Sequence, residues 1–261
     1  MALTRNVDGN GDVWLLDVGR GVLSRFTSDP AFDDSPIWSP NSSRIVFSSA
    51  RKGARALYEK PAASAETEEL LLATDQNLVP LDWSSDGRFL LYRSNDPKTS
   101  FDVWALPFDK VSKPFPVVRS SFEEREAQFS PDAKWVAYQS NESGRFEIYV
   151  QPFPGPGARI PISANGGAQA RWRRDGKELF YIALDGYLMA VPIRLDSNGQ
   201  SIEAGRPAQL FNSRVSGGAV QSATTQQYAI SSDGQRFLVN TDAGETSPIT
   251  VVLNWTAALK K

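Results

Sequence analysis

Pro80–Ser94, PLDWSSDGRFLLYRS, reads as a β-hairpin. An apolar run ends on Trp83, Ser84-Ser85-Asp86-Gly87 has the composition of a tight turn, and Phe89–Tyr92 is rich in strand formers. The string returns as PIWSPNSSRIVFSS from Pro36, AQFSPDAKWVAYQS from Ala127, ARWRRDGKELFYIA from Ala170 and YAISSDGQRFLVNT from Tyr228. Its anchors, Trp38, Trp83, Phe129, Trp172 and Ile230, are 45, 46, 43 and 58 residues apart. A recurrence of this kind marks a repeat architecture whose last interval carries an insertion.

A second motif follows each hairpin and reads as a third strand: DVWLLD from Asp12, ALYEKP from Ala56, DVWALP from Asp102, EIYVQP from Glu147, YLMAVP from Tyr187 and ITVVLN from Ile249. Weaker fourth segments include SRFTS at Ser24–Ser28 and EELLLA at Glu68–Ala73. Four strands in about 45 residues is the spacing of a propeller blade. The expectation is therefore an all-β, six-bladed β-propeller of four-stranded antiparallel blades, forming one domain over residues 1–261. The blades fall at 1–28, 29–74, 75–120, 121–164, 165–212 and 213–261. The first is incomplete, with Ala2–Arg5 fitting the end of a second strand, and a parent with six or seven blades stays open. Helical patterning is confined to Thr256–Lys261.

Composition narrows the chemistry. The 261 residues carry a net charge of −2 with both signs interspersed, which gives no electrostatic footprint for nucleic acid or an anionic membrane. Neither a membrane-length apolar stretch nor a signal-peptide pattern at MALTRNVDGNGD is present, so no direct membrane insertion is expected. With no cysteine there is no disulfide framework. The lack of histidine removes the usual general base, the Ser-His-Asp relay and the commonest zinc ligand together. No catalytic residue, metal or cofactor is expected.

The strings WSSDGRFLLY, FSPDAKWVAY and WRRDGKELFY resemble TolB-like propellers with WD40-like (PD40) repeats, along essentially the whole chain. SNESGR at Ser140–Arg145, QPFPGPG at Gln151–Gly157, WRRDGKELFY at Trp172–Tyr181 and ITVVLNWTAALKK at Ile249–Lys261 are similar to the C-terminal propeller of acidobacterial-type bacterial serine/threonine protein kinases. That resemblance implies an extracytoplasmic or periplasmic sensing or binding module. It does not imply phosphoryl transfer here, since the chain has no Gly-rich loop with its lysine, no H-R-D and no D-F-G.

Asp86, Asp132, Asp175 and Asp233 recur at the hairpin turns, where Asp stabilises the turn through its own backbone, and they are read as structural. The aromatic anchors are read as packing between blades, although a stacking platform uses the same residue types. Asp8, Asn10 and Asp12 have the alternate oxygens that open a calcium loop, but Val13 and Gly19 stand where Gly and Glu are needed. No G-x-S-x-G elbow occurs.

Binding residues are expected where loops enter the first strand of each blade. Asp82, Gln128 and Arg171 each precede an anchor by one residue, and Asp34 and Glu126 lie at the entrance. These five form the candidate polar mouth of a channel. The long Ser213–Thr225 segment is expected to emerge there and could close over a ligand seated against Arg171 and Gln128. The resulting expectation is a non-catalytic module for a protein or peptide partner, or for a small extracytoplasmic ligand. Two alternatives remain open: a propeller enzyme, or the gating domain of a hydrolase whose catalytic part lies elsewhere.

Overall fold

The computed structural model describes residues 1–63, 67–109, 111–155, 157–196, 201–220, 226–241 and 250–253. The expected terminal helix at Thr256–Lys261 lies outside them. Among the described residues there is no helix, and every strand pairing is antiparallel. The chain divides into two compact units, Met1–Ser121 and Phe122–Lys261.

The first unit holds three sheets. One is β1 (Ala2–Val7), β2 (Asn10–Asp17) and β3 (Val22–Arg25), in that order. The second runs β4 (Asp33–Trp38), β5 (Arg44–Lys52), β6 (Ala54–Pro61), β7 (Glu69–Leu72). The third runs β8 (Leu78–Trp83), β9 (Phe89–Asp96), β10 (Ser100–Pro107), β11 (Phe115–Val118). In each four-stranded sheet the strands pair in sequence order. Tight turns bring consecutive strands together before any long-range contact is needed.

The second unit opens with β12 (Glu124–Phe129), β13 (Trp135–Ser140), β14 (Glu147–Pro152) and β15 (Ile160–Pro161). Next come β16 (Ala168–Trp172), β17 (Glu178–Ile182) and β18 (Tyr187–Leu195), with β19 (Ile202–Ala204) and β20 (Ala208–Asn212) both pairing with β18. The last sheet is β21 (Tyr228–Ile230), β22 (Arg236–Val239) and β23 (Thr250–Leu253). The insertion before Ile230 therefore splits into an extension of β18 paired with β19 and the segment after β20.

The cores lie between sheets, because the middle strands are apolar on both faces. Val136 and Ala137 on β13, and Leu179 to Ile182 on β17, are at most 4% exposed. Phe180 meets Phe237 edge to face at 5.1 Å within a cluster that includes Ile182, Leu188, Val215 and Tyr228. Each expected anchor ends the first strand of its sheet. Phe129 and Trp172 are buried, whereas Trp38 and Trp83 are only half-buried. Trp83 instead stacks flat on Phe108 at 4.4 Å.

The turn aspartates are structural. Asp86 Oδ1 accepts from Ser84 Oγ at 2.7 Å and from Arg88 N at 3.0 Å, and Asp132 repeats the pair with Ser130 and Lys134. Asp175 also receives two bonds from Arg173, which hold its pKa down at about 2. The residue after Asp has a left-handed backbone in all four turns, at Gly87, Ala133, Gly176 and Gly234. Only Ala133 pays the side-chain cost of that conformation.

Candidate functional site

The first strands β4, β8, β12 and β16 are bulged near their entrances. Between Arg125 and Gln128 on β12, and between Ala168 and Arg171 on β16, two residues stand opposite one on the neighbouring strand. Glu126 (φ 48°) and Gln169 (φ 57°) take left-handed backbones at these bulges, as Ser35 (φ 55°) does on β4. A bulge re-aims side chains relative to a regular strand. Holding a non-glycine residue there costs on the order of 1 to 3 kcal/mol.

In the first unit, Asp34 is buried and pairs with Arg55 Nη1 at 2.8 Å, while its Oδ1 has no hydrogen-bond partner. The adjacent Asp33 is fully buried and takes Arg51 Nη2 on both oxygens, at 3.2 and 3.1 Å. Arg51 also pairs with Glu68 and lies 4.4 Å over the Tyr58 ring. Asp82 is partly exposed on β8, opposite Leu91. Strands β4 and β8 lie against one another, and Asp34 forms its ion pair with Arg55 of β6.

Burial raises the pKa of Asp34 against the pull of Arg55, the Ser35 hydrogen bond and Arg93. A carboxyl raised in the folded state adds stability that is full below its ordinary pKa of 3.8 and is lost as pH rises through the raised value. Asp34→Asn removes that dependence. Denaturant unfolding at pH 4 and at pH 7 is expected to favour the variant, relative to wild type, more at pH 7. An equal difference at the two pH values would show that Asp34 is not perturbed.

In the second unit, Glu126 of β12 and Arg171 of β16 face one another. Arg171 Nη2 lies 3.8 Å from Glu126 Oε2, and both residues are buried. Gln128 Oε1 accepts from the Trp172 amide at 2.8 Å, tying β12 to β16. Arg171 Nη1 donates to Ala170 O at 2.6 Å, and its guanidinium carbon sits 5.9 Å from the Tyr228 ring. Arg171 is 6% exposed, so the cluster is enclosed where an open mouth was expected.

Around it runs a glutamine network that sequence reasoning missed. The Gln169 amide donates to Gln139 Oε1 at 2.9 Å. Gln169 Nε2 donates to Gln227 Oε1 at 2.5 Å and to Ala219 O at 2.9 Å, and its Oε1 accepts from the Gln227 amide at 3.0 Å. Tyr228 Oη donates to Gln169 O at 2.8 Å. The signal was present: Glu126, Gln169 and Gln227 each stand three residues before an anchor.

Ser213–Val220 is packed down. Val215 and Ala219 are buried, Val215 bridges to Thr241, and Ala219 holds Gln169. Ser213, Val215 and Ala219 of the expected lid are thus buried, while Arg214, Gly217 and Gly218 are exposed; residues 221–225 lie outside the described residues.

Also unforeseen are the carboxylates that open third strands. Asp12 pairs with Arg25 at 2.7 Å and sits beside Thr27, whose Oγ1 accepts from the Val13 amide at 3.0 Å. Glu147 repeats this with Arg145 and Ser163, and it accepts the Gly166 amide on both oxygens at 2.9 Å. These groups clamp the fourth segment to the third strand. Among the described residues, no cluster of three or more His, Cys, Asp or Glu is placed to hold a metal ion.

No protein-family model and no curated protein sequence matches the chain. Solved structures do. TolB from Acinetobacter baumannii aligns at a TM-score of 0.73 with 18% identity, over 97% of this chain and 60% of that one. This chain thus spans about three fifths of that TolB. An oligogalacturonate lyase in complex with manganese aligns at 0.61 with 14% identity, over 98% and 71%. A prolyl endopeptidase aligns at 0.58 with 13% identity, over 96% and 38%. At these identities the likeness shows the fold, which is that of a TolB-like β-propeller, and leaves function to the site itself.

Proposed function

We propose that the chain is a non-catalytic binding module that takes a protein or peptide segment, or a smaller ligand, at the cluster of Glu126, Gln128 and Arg171. The observation that carries this reading is the enclosure of Arg171 with two donors, Nε and Nη2, lacking hydrogen-bond partners. A buried guanidinium left short of partners costs stability, and such costs gather at sites kept for recognition. The repeated bulges support the reading, since they spend backbone strain on aiming residues of the first strands. A finer context, the C-terminal sensor propeller of a bacterial serine/threonine kinase, rests on the strings at Ser140–Arg145, Gln151–Gly157 and Trp172–Tyr181. Asp34 and Asp82 are retained as candidate contacts of the first unit.

A displayed random-peptide library panned against the chain tests the proposal. Selected peptides are expected to bind with micromolar dissociation constants by calorimetry and to weaken about tenfold or more in Gln128→Ala or Arg171→Met. Peptides that bind wild type and both variants equally would remove the cluster as the site.

A further inference from the structure

Arg171 is held at two points and is left without hydrogen-bond partners along one buried edge. Nη1 is tied to Ala170 O, the Tyr228 ring lies beside the guanidinium, and that ring is itself anchored through its hydroxyl to Gln169 O. The two donors without hydrogen-bond partners are Nε and Nη2. In a guanidinium these two N–H groups point in parallel from one edge, forming a planar fork that matches the two oxygens of a carboxylate. Glu126 is the neighbouring carboxylate, but at 3.8 Å from Nη2 it is an ion pair beyond hydrogen-bond reach.

Resting on the binding-site reading above, we propose that the Nε/Nη2 edge of Arg171 receives a ligand carboxylate, and that Glu126 competes with it for the fork. The charge balance selects the class. One guanidinium already faces one internal carboxylate, and Glu126 would repel a phosphate dianion about twice as strongly as a singly charged carboxylate. A carboxylate carries a single charge and the planar pair of acceptors the fork requires. An acidic side chain and a chain terminus offer the same chemistry.

The test titrates the whole chain, at constant ionic strength set with sodium chloride, with four probes. Acetylglycine mimics a chain terminus and N-acetylaspartate N-methylamide an acidic side chain; N-acetylasparagine N-methylamide and inorganic phosphate are controls. The readouts are the melting temperature and the Arg171 Nε–H resonance. At least one carboxylate is expected to raise the first and shift the second, with neither control doing so, and the responding probe identifies the source. Arg171→Met and Arg171→Lys are expected to weaken binding on the order of tenfold to a hundredfold, because lysine keeps the charge and loses the fork. Glu126→Gln is expected to bind more tightly than wild type. A response to phosphate equal to that of the carboxylates, no response to either carboxylate, unchanged binding in Arg171→Lys, or weaker binding in Glu126→Gln would overturn the proposal. If Arg171→Met does not fold, Arg171→Lys and Glu126→Gln carry the test. Library peptides that weaken in Gln128→Ala but not in Arg171→Met would sink the carboxylate fork and leave the peptide site standing. Carboxylate binding without any peptide binding would do the reverse.

Discussion

Phe180→Ala is expected to destabilise the second unit by about 3 to 5 kcal/mol, the usual cost of deleting a buried aromatic ring from a packed core. Phe180 is fully buried and bridges two sheets: it sits on β17 and meets Phe237 of β22 edge to face. Phe211 closes on Phe237 from β20 at 5.7 Å, so the lost ring leaves a cavity with aromatic walls that cannot collapse without moving a strand. Trp38→Ala removes a larger side chain, yet it should cost less because Trp38 is already partly exposed. Denaturant unfolding followed by tryptophan fluorescence measures both. A Phe180→Ala loss below about 1 kcal/mol would mean that the sheets do not pack as described.

Gln169→Leu should be nearly as damaging, for a different reason. The side chain is 1% exposed and makes three hydrogen bonds, to Ala219 O, Gln227 Oε1 and the Gln227 amide. Leucine fills much the same space and strands all three partners in a dry interior, at roughly 1 to 3 kcal/mol for each unpaired group. A loss of about 3 to 5 kcal/mol is expected, allowing for partial relaxation. Adding Gln227→Leu takes away one of the stranded acceptors, so the double variant should lose less than the sum of the single losses. Additive losses in that cycle would show that the two glutamines do not interact.

The legible part of this protein is local. Trp83 followed by Ser-Ser-Asp-Gly and an apolar run specifies a strand, a turn and a strand within a dozen or so contiguous residues, and five such strings repeat the instruction. The role of the turn aspartates was readable for the same reason, because Asp86 bonds residues two positions away. The absence of histidine and cysteine constrained chemistry without any structure.

The candidate site was legible only as a list of positions. Glu126, Gln128 and Arg171 share the same two strands, and their convergence follows from the repeat. The bulges were not readable. One extra residue in a strand changes which face the following side chains occupy, and no composition signal separates Glu126-Ala127-Gln128 with a bulge from the same residues without one. The glutamine network joins residues 30 and 58 positions apart. The carboxylate clamps at Asp12 and Glu147 close over 15 and 16 residues.

By itself, then, the sequence determined the repeat, the strand order within each sheet, the turn chemistry and the classes of catalysis that lack their residues. These depend on contacts between near neighbours, which pattern and propensity encode directly. The tertiary structure alone decided that Arg171 is enclosed rather than exposed, that its Nε/Nη2 edge has no hydrogen-bond partner, and that Ser213, Val215 and Ala219 pack into the core. Burial and hydrogen-bond satisfaction depend on which distant groups arrive beside a side chain, and only the packing of one sheet on the next fixes that.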